Sequence, residues 1–149
     1  MDAQFWHDRW HEGRLGFHEG RVNRMLETHV GALGLNPGAR ILLPLCGKAV
    51  DLPWLAAQGY RVVGAELSAV AVRDLFASLE IDPVVAEKGD LTLWSAGNIE
   101  VFVGDIFDLD PETLGVVDAI YDRAALVALP DAMRARYAAH LADLTGAAP

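Results

Sequence analysis

Two apolar segments separated by a helical pattern constrain the fold of this chain more than any other feature of its 149 residues. Residues 41–45 are apolar without alternation, as expected for a strand covered on both faces of a parallel sheet, and residues 61–65 form a second, valine-rich strand that ends at Glu66. Pro44 ends the first strand, because proline cannot donate to a strand ladder. Residues 51–58 predict a helix that Gly59 ends. Strand, helix and strand at this spacing predict a right-handed parallel crossover.

The rest of the chain continues this α/β order. Ser68 can cap a helix whose inner face holds Val72, Leu75, Phe76 and Leu79. Further segments predict strands at residues 91–95 and 99–104 around a turn, a strand at 116–121 and a last helix at 130–144. We therefore expect a Rossmann-like sheet with helices on both faces.

The domain organisation is predicted to be a single domain over residues 1–149. Residues 1–35 predict a helical cap, whose second helix has apolar residues at Val22, Met25, Leu26, Val30 and Leu33. Residues 39–149 form the predicted α/β core. The sequence stops just after a helix that should lead into another buried strand. Strand 116–121 would then be an open apolar edge, so we expect the sheet to lack its C-terminal strands.

Charge and cysteine content limit the partners of the chain. The net charge is −9, and no cluster of Lys and Arg is present for a phosphate backbone or an anionic membrane surface. We therefore expect no nucleic acid and no membrane, but a small-molecule partner. Cys46 is the single cysteine, and the N-terminal residues do not resemble a signal peptide. A cytoplasmic monomer is expected.

Candidate ligand-binding residues follow the predicted strands, since ligands of open parallel sheets bind outside the carboxyl ends of the strands. The loop after the first strand, with Leu45 and Gly47, can offer backbone N–H groups. Glu66 lies 21 positions after Leu45, where an acidic side chain can accept hydrogen bonds from both ribose hydroxyls. Asp105 and Ile106 follow the strand predicted at 99–104 and could flank an adenine. Asp122-Arg123 follows the strand predicted at 116–121.

The glycine pattern indicates which nucleoside fits this edge. A dinucleotide fold needs G-x-G-x-x-G so that the backbone can press against a pyrophosphate, and residues 45–51 hold one glycine. A nicotinamide-dependent oxidoreductase is therefore disfavoured. A ribose clamp without a phosphate cradle suits a nucleoside such as S-adenosylmethionine.

The same residues also have structural interpretations, which compete with the functional interpretations above. Glu66 could be a solvated strand end, and Asp122-Arg123 an ion pair. The spacing of Trp6 and Trp10 more often reflects core packing than a ligand lid. His7 and His11 have a spacing that can bind zinc, but no third ligand is evident nearby, so no metal is predicted. Cys46 has no evident histidine partner and is interpreted as a small residue that fits its loop.

The sequence resembles the thiopurine S-methyltransferase family, especially its bacterial branch, over the whole chain and in order. The matching segments are Phe5-Trp6 with Trp10, Gly16-Phe17-His18, and residues 43–48 (LPLCGK), 63–68 (VGAELS), 104–108 (GDIFD) and 120–129 (IYDRAALVAL). The pair formed by PLCGK and YDRAALVAL is specific. Members of the family continue through further strands, and no segment here matches that part.

The resemblance implies a role for each matching residue. Five residues would bind S-adenosylmethionine: Trp10, Leu45, Glu66, Ile106 and Arg123. Trp10 would cover the cofactor from the N-terminal helix. Phe17 would face the acceptor. No catalytic acid or base is implied, although Asp122 is the one carboxylate worth testing as a base.

The activity implied by the resemblance is methyl transfer to the sulfur of aromatic or heterocyclic thiols such as thiopurines, with S-adenosylhomocysteine as product. Bacterial relatives are also associated with selenium and tellurium compounds, so detoxification or resistance to these elements is an alternative. A non-catalytic nucleoside-binding module is an alternative of another class.

Overall fold

A computed structural model describes residues 4, 21–123 and 125–149, and within these ranges six strands form one sheet. In spatial order the strands are β3-β4-β5-β2-β1-β6. Their bounds are β1 Arg40–Pro44, β2 Arg61–Glu66, β3 Val84–Lys88, β4 Leu91–Ala96, β5 Ile99–Val103 and β6 Ala119–Ile120. Strands β5, β2, β1 and β6 are parallel, while β4 and β3 extend the sheet in antiparallel pairing.

The order of the parallel strands creates a switch point beside β1. The chain moves from β1 outward through β2 to β5, and β6 then returns to the opposite side of β1. In open α/β sheets the crevice at such a reversal, at the carboxyl ends of the strands, is where ligands bind. The ends of β5, β2, β1 and β6 are therefore the place to look for a site.

Helices cover both faces of the sheet, as predicted. They are α1 Arg24–His29, α2 Asp51–Ala57, α3 Ala69–Ser78, α4 Pro111–Leu114, α5 Ala125–Ala128 and α6 Asp131–Thr145. Ile41 and Leu43 of β1 pack in one core with α2 and α3, and Leu42 packs in the other with α4 and α6. The unbroken apolar run of β1 thus has a physical cause, because each face of the strand meets its own hydrophobic layer.

Several local predictions are confirmed. The side chain of Ser68 accepts a hydrogen bond from the Ala71 N–H at the start of α3. Strands β4 and β5 form a hairpin around residues 97 and 98. Gly146 ends α6 in the left-handed conformation. Among the described residues, no helix is long and apolar enough to cross a bilayer.

Other local predictions are wrong or incomplete. The strand predicted at 116–121 shrinks to β6, because only Ala119 and Ile120 pair with β1, and Val116 is 81% exposed. Met25 and Leu33, predicted on a buried helix face, are also exposed. Strand β3 was not predicted. Every one of its residues is exposed, so its sequence carries no pattern of burial.

Candidate functional site

The loop after β1 turns sharply away from the sheet at the switch point. Leu45 adopts φ 51° and Gly47 φ 58°, both in the left-handed region. This conformation costs a residue with a side chain about 1–2 kcal/mol, which explains the glycine at position 47. The Cys46 N–H donates to the Ala65 carbonyl oxygen of β2 at 3.1 Å. The loop is thereby held against the end of the neighbouring strand.

Glu66 connects this loop to the end of β2. Its side chain is buried, and Oε1 accepts a hydrogen bond from the Gly47 N–H at 3.0 Å. Oε2 accepts one from the Ser68 N–H at 2.6 Å. Glu66 is therefore not a solvated strand end, and that structural alternative is excluded. Since an ionised carboxylate offers about four acceptor positions, these two bonds leave acceptor capacity for a ligand.

Burial changes the ionisation of Glu66. Loss of hydration raises the pKa of its carboxyl to about 7, and the N–H groups of Ser68 and Gly47 limit this rise. The side chain is consequently divided between its two protonation states near neutral pH. A ligand whose hydroxyl groups donate to the carboxylate would favour the ionised form.

Cys46 packs beneath the same loop. Part of the residue is exposed, but desolvation of the thiol, together with the nearby charge of Glu66, raises its pKa well above the ordinary value. A Cβ atom added at Gly64 of β2 would lie 2.7 Å from the Cys46 Sγ atom. The thiol therefore stays protonated and fills the space over Gly64, which agrees with its interpretation as a small residue that fits.

The end of β5 forms a short 3-10 turn, Ile106–Asp108. Asp105 caps this turn, because its Oδ1 accepts a hydrogen bond from the Phe107 N–H at 2.9 Å. Ile106 is 6% exposed and belongs to the core layer that contains Leu42. Most of its side chain is thus packed in the protein, and only a small part of its surface is left for a ligand.

Asp122 lies after β6 and before α5. Asp122 Oδ1 accepts hydrogen bonds from the N–H groups of Ala125 at 3.0 Å and Leu126 at 3.3 Å. Its Oδ2 accepts one from the Tyr137 hydroxyl at 2.9 Å. Both oxygens of Asp122 thus have fixed structural partners, which argues against its use as a general base. Arg123 follows and is half-buried.

Asp51 is a buried carboxylate that the sequence analysis did not single out. It begins α2, just after the loop, and its Oδ1 accepts a hydrogen bond from the Asn23 N–H at 2.8 Å. Its Oδ2 accepts one from the Tyr121 hydroxyl at 3.2 Å. An acidic residue in the first turn of the helix after the loop was the available sequence signal. Asp51 ties the residues before α1 and the residue after β6 to the base of the loop.

The structure brings together only part of the predicted site. Leu45 lies in the loop that Glu66 holds, while Ile106 and Arg123 lie at the ends of the flanking strands β5 and β6. Trp10 and Phe17 lie outside the described residues, as do Trp6, His7 and His11. In the described part of the chain, no group of three or more His, Cys, Asp or Glu side chains is arranged to hold a metal ion.

Two solved structures with a similar fold are methyltransferases. The structure resembles a TehB-like SAM-dependent methyltransferase from Corynebacterium glutamicum with a TM-score of 0.60 and 18% identity, covering 97% of this chain and 67% of that one. It also resembles magnesium protoporphyrin IX methyltransferase from Synechocystis, solved with bound SAM, with a TM-score of 0.68 and 20% identity, covering 97% and 73%. At these identities the likeness establishes the fold.

Sequence comparisons define the family. The model of the family described as Thiopurine S-methyltransferase (TPMT) matches residues 1–148. A thiopurine S-methyltransferase of Xanthobacter autotrophicus is 54% identical, covering 100% of this chain and 70% of the relative. One from Gluconobacter oxydans is 51% identical, covering 99% and 67%. The resemblance found in the sequence is thus confirmed, and the chain belongs to the thiopurine S-methyltransferase family.

Proposed function

We propose that this chain is an S-adenosylmethionine-dependent S-methyltransferase that methylates the sulfur of aromatic or heterocyclic thiols such as thiopurines. The family assignment supports this activity. The observation that carries the proposal is Glu66, buried at the end of β2 and hydrogen-bonded to the loop after β1. A carboxylate held there with acceptor capacity to spare suits the ribose hydroxyls of an adenosyl group.

The other groups at this edge fit the same cofactor. The loop 45–51 has one glycine and no phosphate cradle, which suits a nucleoside without a phosphate. We assign the cofactor contacts to Leu45, Glu66, Ile106 and Arg123. By family resemblance, Trp10 covers the cofactor and Phe17 faces the acceptor.

Methyl transfer depends on the protein to align the reactants more than to transfer a proton. S-adenosylmethionine supplies an electrophilic methyl group on a sulfonium centre. An aromatic thiol ionises readily, so its thiolate attacks without a dedicated base, and we assign no catalytic acid or base. The residues at the strand ends hold the cofactor in line with the acceptor and exclude water.

The class of acceptor and the cellular setting are part of the proposal. A net charge of −9 disfavours nucleic acid, so we propose a small-molecule thiol as the acceptor and a monomer that acts in the cytoplasm. Selenium and tellurium compounds are also soft nucleophiles and form a second class of acceptor, with resistance to those elements as the outcome. Methyl transfer from labelled S-adenosylmethionine to a thiopurine and, separately, to selenite would distinguish the two classes.

Calorimetric titration with S-adenosylhomocysteine tests the cofactor assignment without an acceptor. We expect micromolar affinity, and we expect Glu66→Ala to weaken it by about 1–3 kcal/mol, the free energy of hydrogen bonds to a charged group. Glu87→Ala removes an exposed carboxylate on β3 and serves as the control, with unchanged affinity expected. Equal affinity in Glu66→Ala and wild type would refute the ribose role.

A further inference from the structure

One face of α6 contacts two strand ends that do not touch each other. Tyr137 and His140 are three residues apart, so their side chains lie on the same side of the helix. Tyr137 bonds to Asp122 after β6, and His140 bonds to Ile106 after β5. Strands β2 and β1 separate β5 from β6, so β5 and β6 do not pair directly with each other.

The Tyr137 contact fixes the segment that carries Arg123. The ring of Tyr137 is 1% exposed, and its hydroxyl donates to Asp122 Oδ2 at 2.9 Å. Burial and the charge of Asp122 raise the pKa of the Tyr137 hydroxyl, so it remains a donor at all ordinary pH values. Because the other oxygen of Asp122 caps α5, the Tyr137 hydroxyl helps to hold the segment between β6 and α5 in which Arg123 lies.

The His140 contact fixes the turn that carries Ile106. His140 Nε2 lies 2.7 Å from the Ile106 carbonyl oxygen, which can only accept, so Nε2 is the donor. The His140 ring is 5.3 Å from the ring of Phe107, and the Arg136 guanidinium lies 4.0 Å over that ring. The side chains of His140 and Arg136 thereby also hold Phe107, the residue after Ile106.

We propose that Tyr137 and His140 are positioning residues, which set the distance between the Ile106 turn and the Arg123 segment across the cofactor edge. The inference rests on the proposed function, because Ile106 and Arg123 are assigned there as cofactor contacts. Neither Tyr137 nor His140 is assigned a contact with the cofactor. Their substitution should therefore change cofactor affinity through loop placement, with the reacting groups left intact.

The test compares four variants of the full chain by calorimetry with S-adenosylhomocysteine and by thermal unfolding. Tyr137→Phe removes one hydroxyl, and His140→Leu removes one donor. His140→Gln retains an N–H donor close to the position of Nε2. Thr145→Val is the matched control, because it removes a hydroxyl that bonds within the C-terminal turn of the same helix.

We expect a three- to tenfold higher Kd for Tyr137→Phe and for His140→Leu, near-normal Kd for His140→Gln, and wild-type Kd for Thr145→Val despite a lower Tm. In turnover assays, KM for S-adenosylmethionine should rise while KM for the thiol stays constant. Wild-type Kd in folded Tyr137→Phe and His140→Leu would overturn this inference alone, provided that Glu66→Ala still loses affinity. No binding by folded wild-type protein would overturn the proposed function and this inference with it.

Discussion

Two buried charges lie at opposite ends of the central strands, and the protein satisfies them in different ways. Arg40 begins β1, and Glu66 ends β2. The Arg40 guanidinium donates to the carbonyl oxygens of Leu114 and Val116 and lies 3.5 Å from Glu100. Within the described residues, the Glu66 carboxylate accepts hydrogen bonds from backbone N–H groups of the two loops that follow β1 and β2.

The difference separates a structural charge from one directed at a ligand. Arg40 ties α4 and the residues before β6 to the amino end of the sheet. In addition, its backbone N–H donates to Asp118 Oδ2 at 2.8 Å. Its partners are fixed parts of the fold. Glu66 joins the loops expected to receive the cofactor and keeps acceptor capacity. Equal burial of two charges thus says little about function until their partners are compared.

The largest expected effect is on stability at the Arg40 end. Arg40→Leu leaves the Leu114 carbonyl buried without its donor, and we expect the free energy of unfolding to fall by about 3–5 kcal/mol. Arg61→Leu, at the exposed first residue of β2, should cost less than about 1 kcal/mol. Urea unfolding measures both. The comparison fails if Arg40→Leu, once folded, also loses affinity for S-adenosylhomocysteine.

The Glu66 end should instead respond to pH. Its pKa is about 7 in the folded protein and 4.5 as the ordinary value, so between these pH values the folded state binds more protons than the unfolded state. Stability of the unliganded protein should therefore fall as pH rises through this window, by about 3 kcal/mol in all. Urea unfolding at pH 4 and pH 8 measures the change, and the same experiment on Glu66→Gln gives the contribution of every other group, which is subtracted.

Cofactor binding should show the opposite pH dependence. Ribose hydroxyls donate to the ionised carboxylate, so binding lowers the pKa of Glu66 and releases a proton near pH 7. Affinity for S-adenosylhomocysteine should rise from pH 6 to pH 8, by at most about tenfold per pH unit. Titration in buffers of different ionisation enthalpy counts the protons. A pH profile that persists in Glu66→Gln would assign the proton to another group.

The sequence predicts those features of β1 and β2 that depend on a local pattern of residues. The apolar run of β1 and the acidic residue ending β2 are visible because burial on two faces and spacing along the chain leave a local signal. Strand β3 leaves none, since its assignment rests on pairing with β4. Val116 looks like strand but is exposed, because pairing with β1 reaches only two residues of β6.

Side-chain partners that are far apart in the sequence could not be predicted from the sequence. Asp51 bonds to residues 28 and 70 positions away, and His140 to one 34 positions away. Helical periodicity identifies Tyr137 as an inward residue but says nothing of its hydroxyl. Such partners depend on how α6 and α2 pack on the sheet, so only the assembled fold reveals them.

A local steric change tests the packing beneath the Glu66 loop. Gly64→Ala introduces a Cβ atom 2.7 Å from the Cys46 Sγ atom, so the sulfur must shift. The adjacent Gly47 N–H, which donates a hydrogen bond to Glu66, must shift with it. We expect a loss of about 2 kcal/mol in unfolding free energy, together with weaker binding of S-adenosylhomocysteine. Gly31→Ala, where an added Cβ meets no atom within 4 Å, should change neither.

Because removal of the sulfur makes room for the new methyl group, Cys46→Ala should restore both properties to the Gly64→Ala variant. Restored stability without restored affinity would mean that the loop depends on the thiol for more than packing.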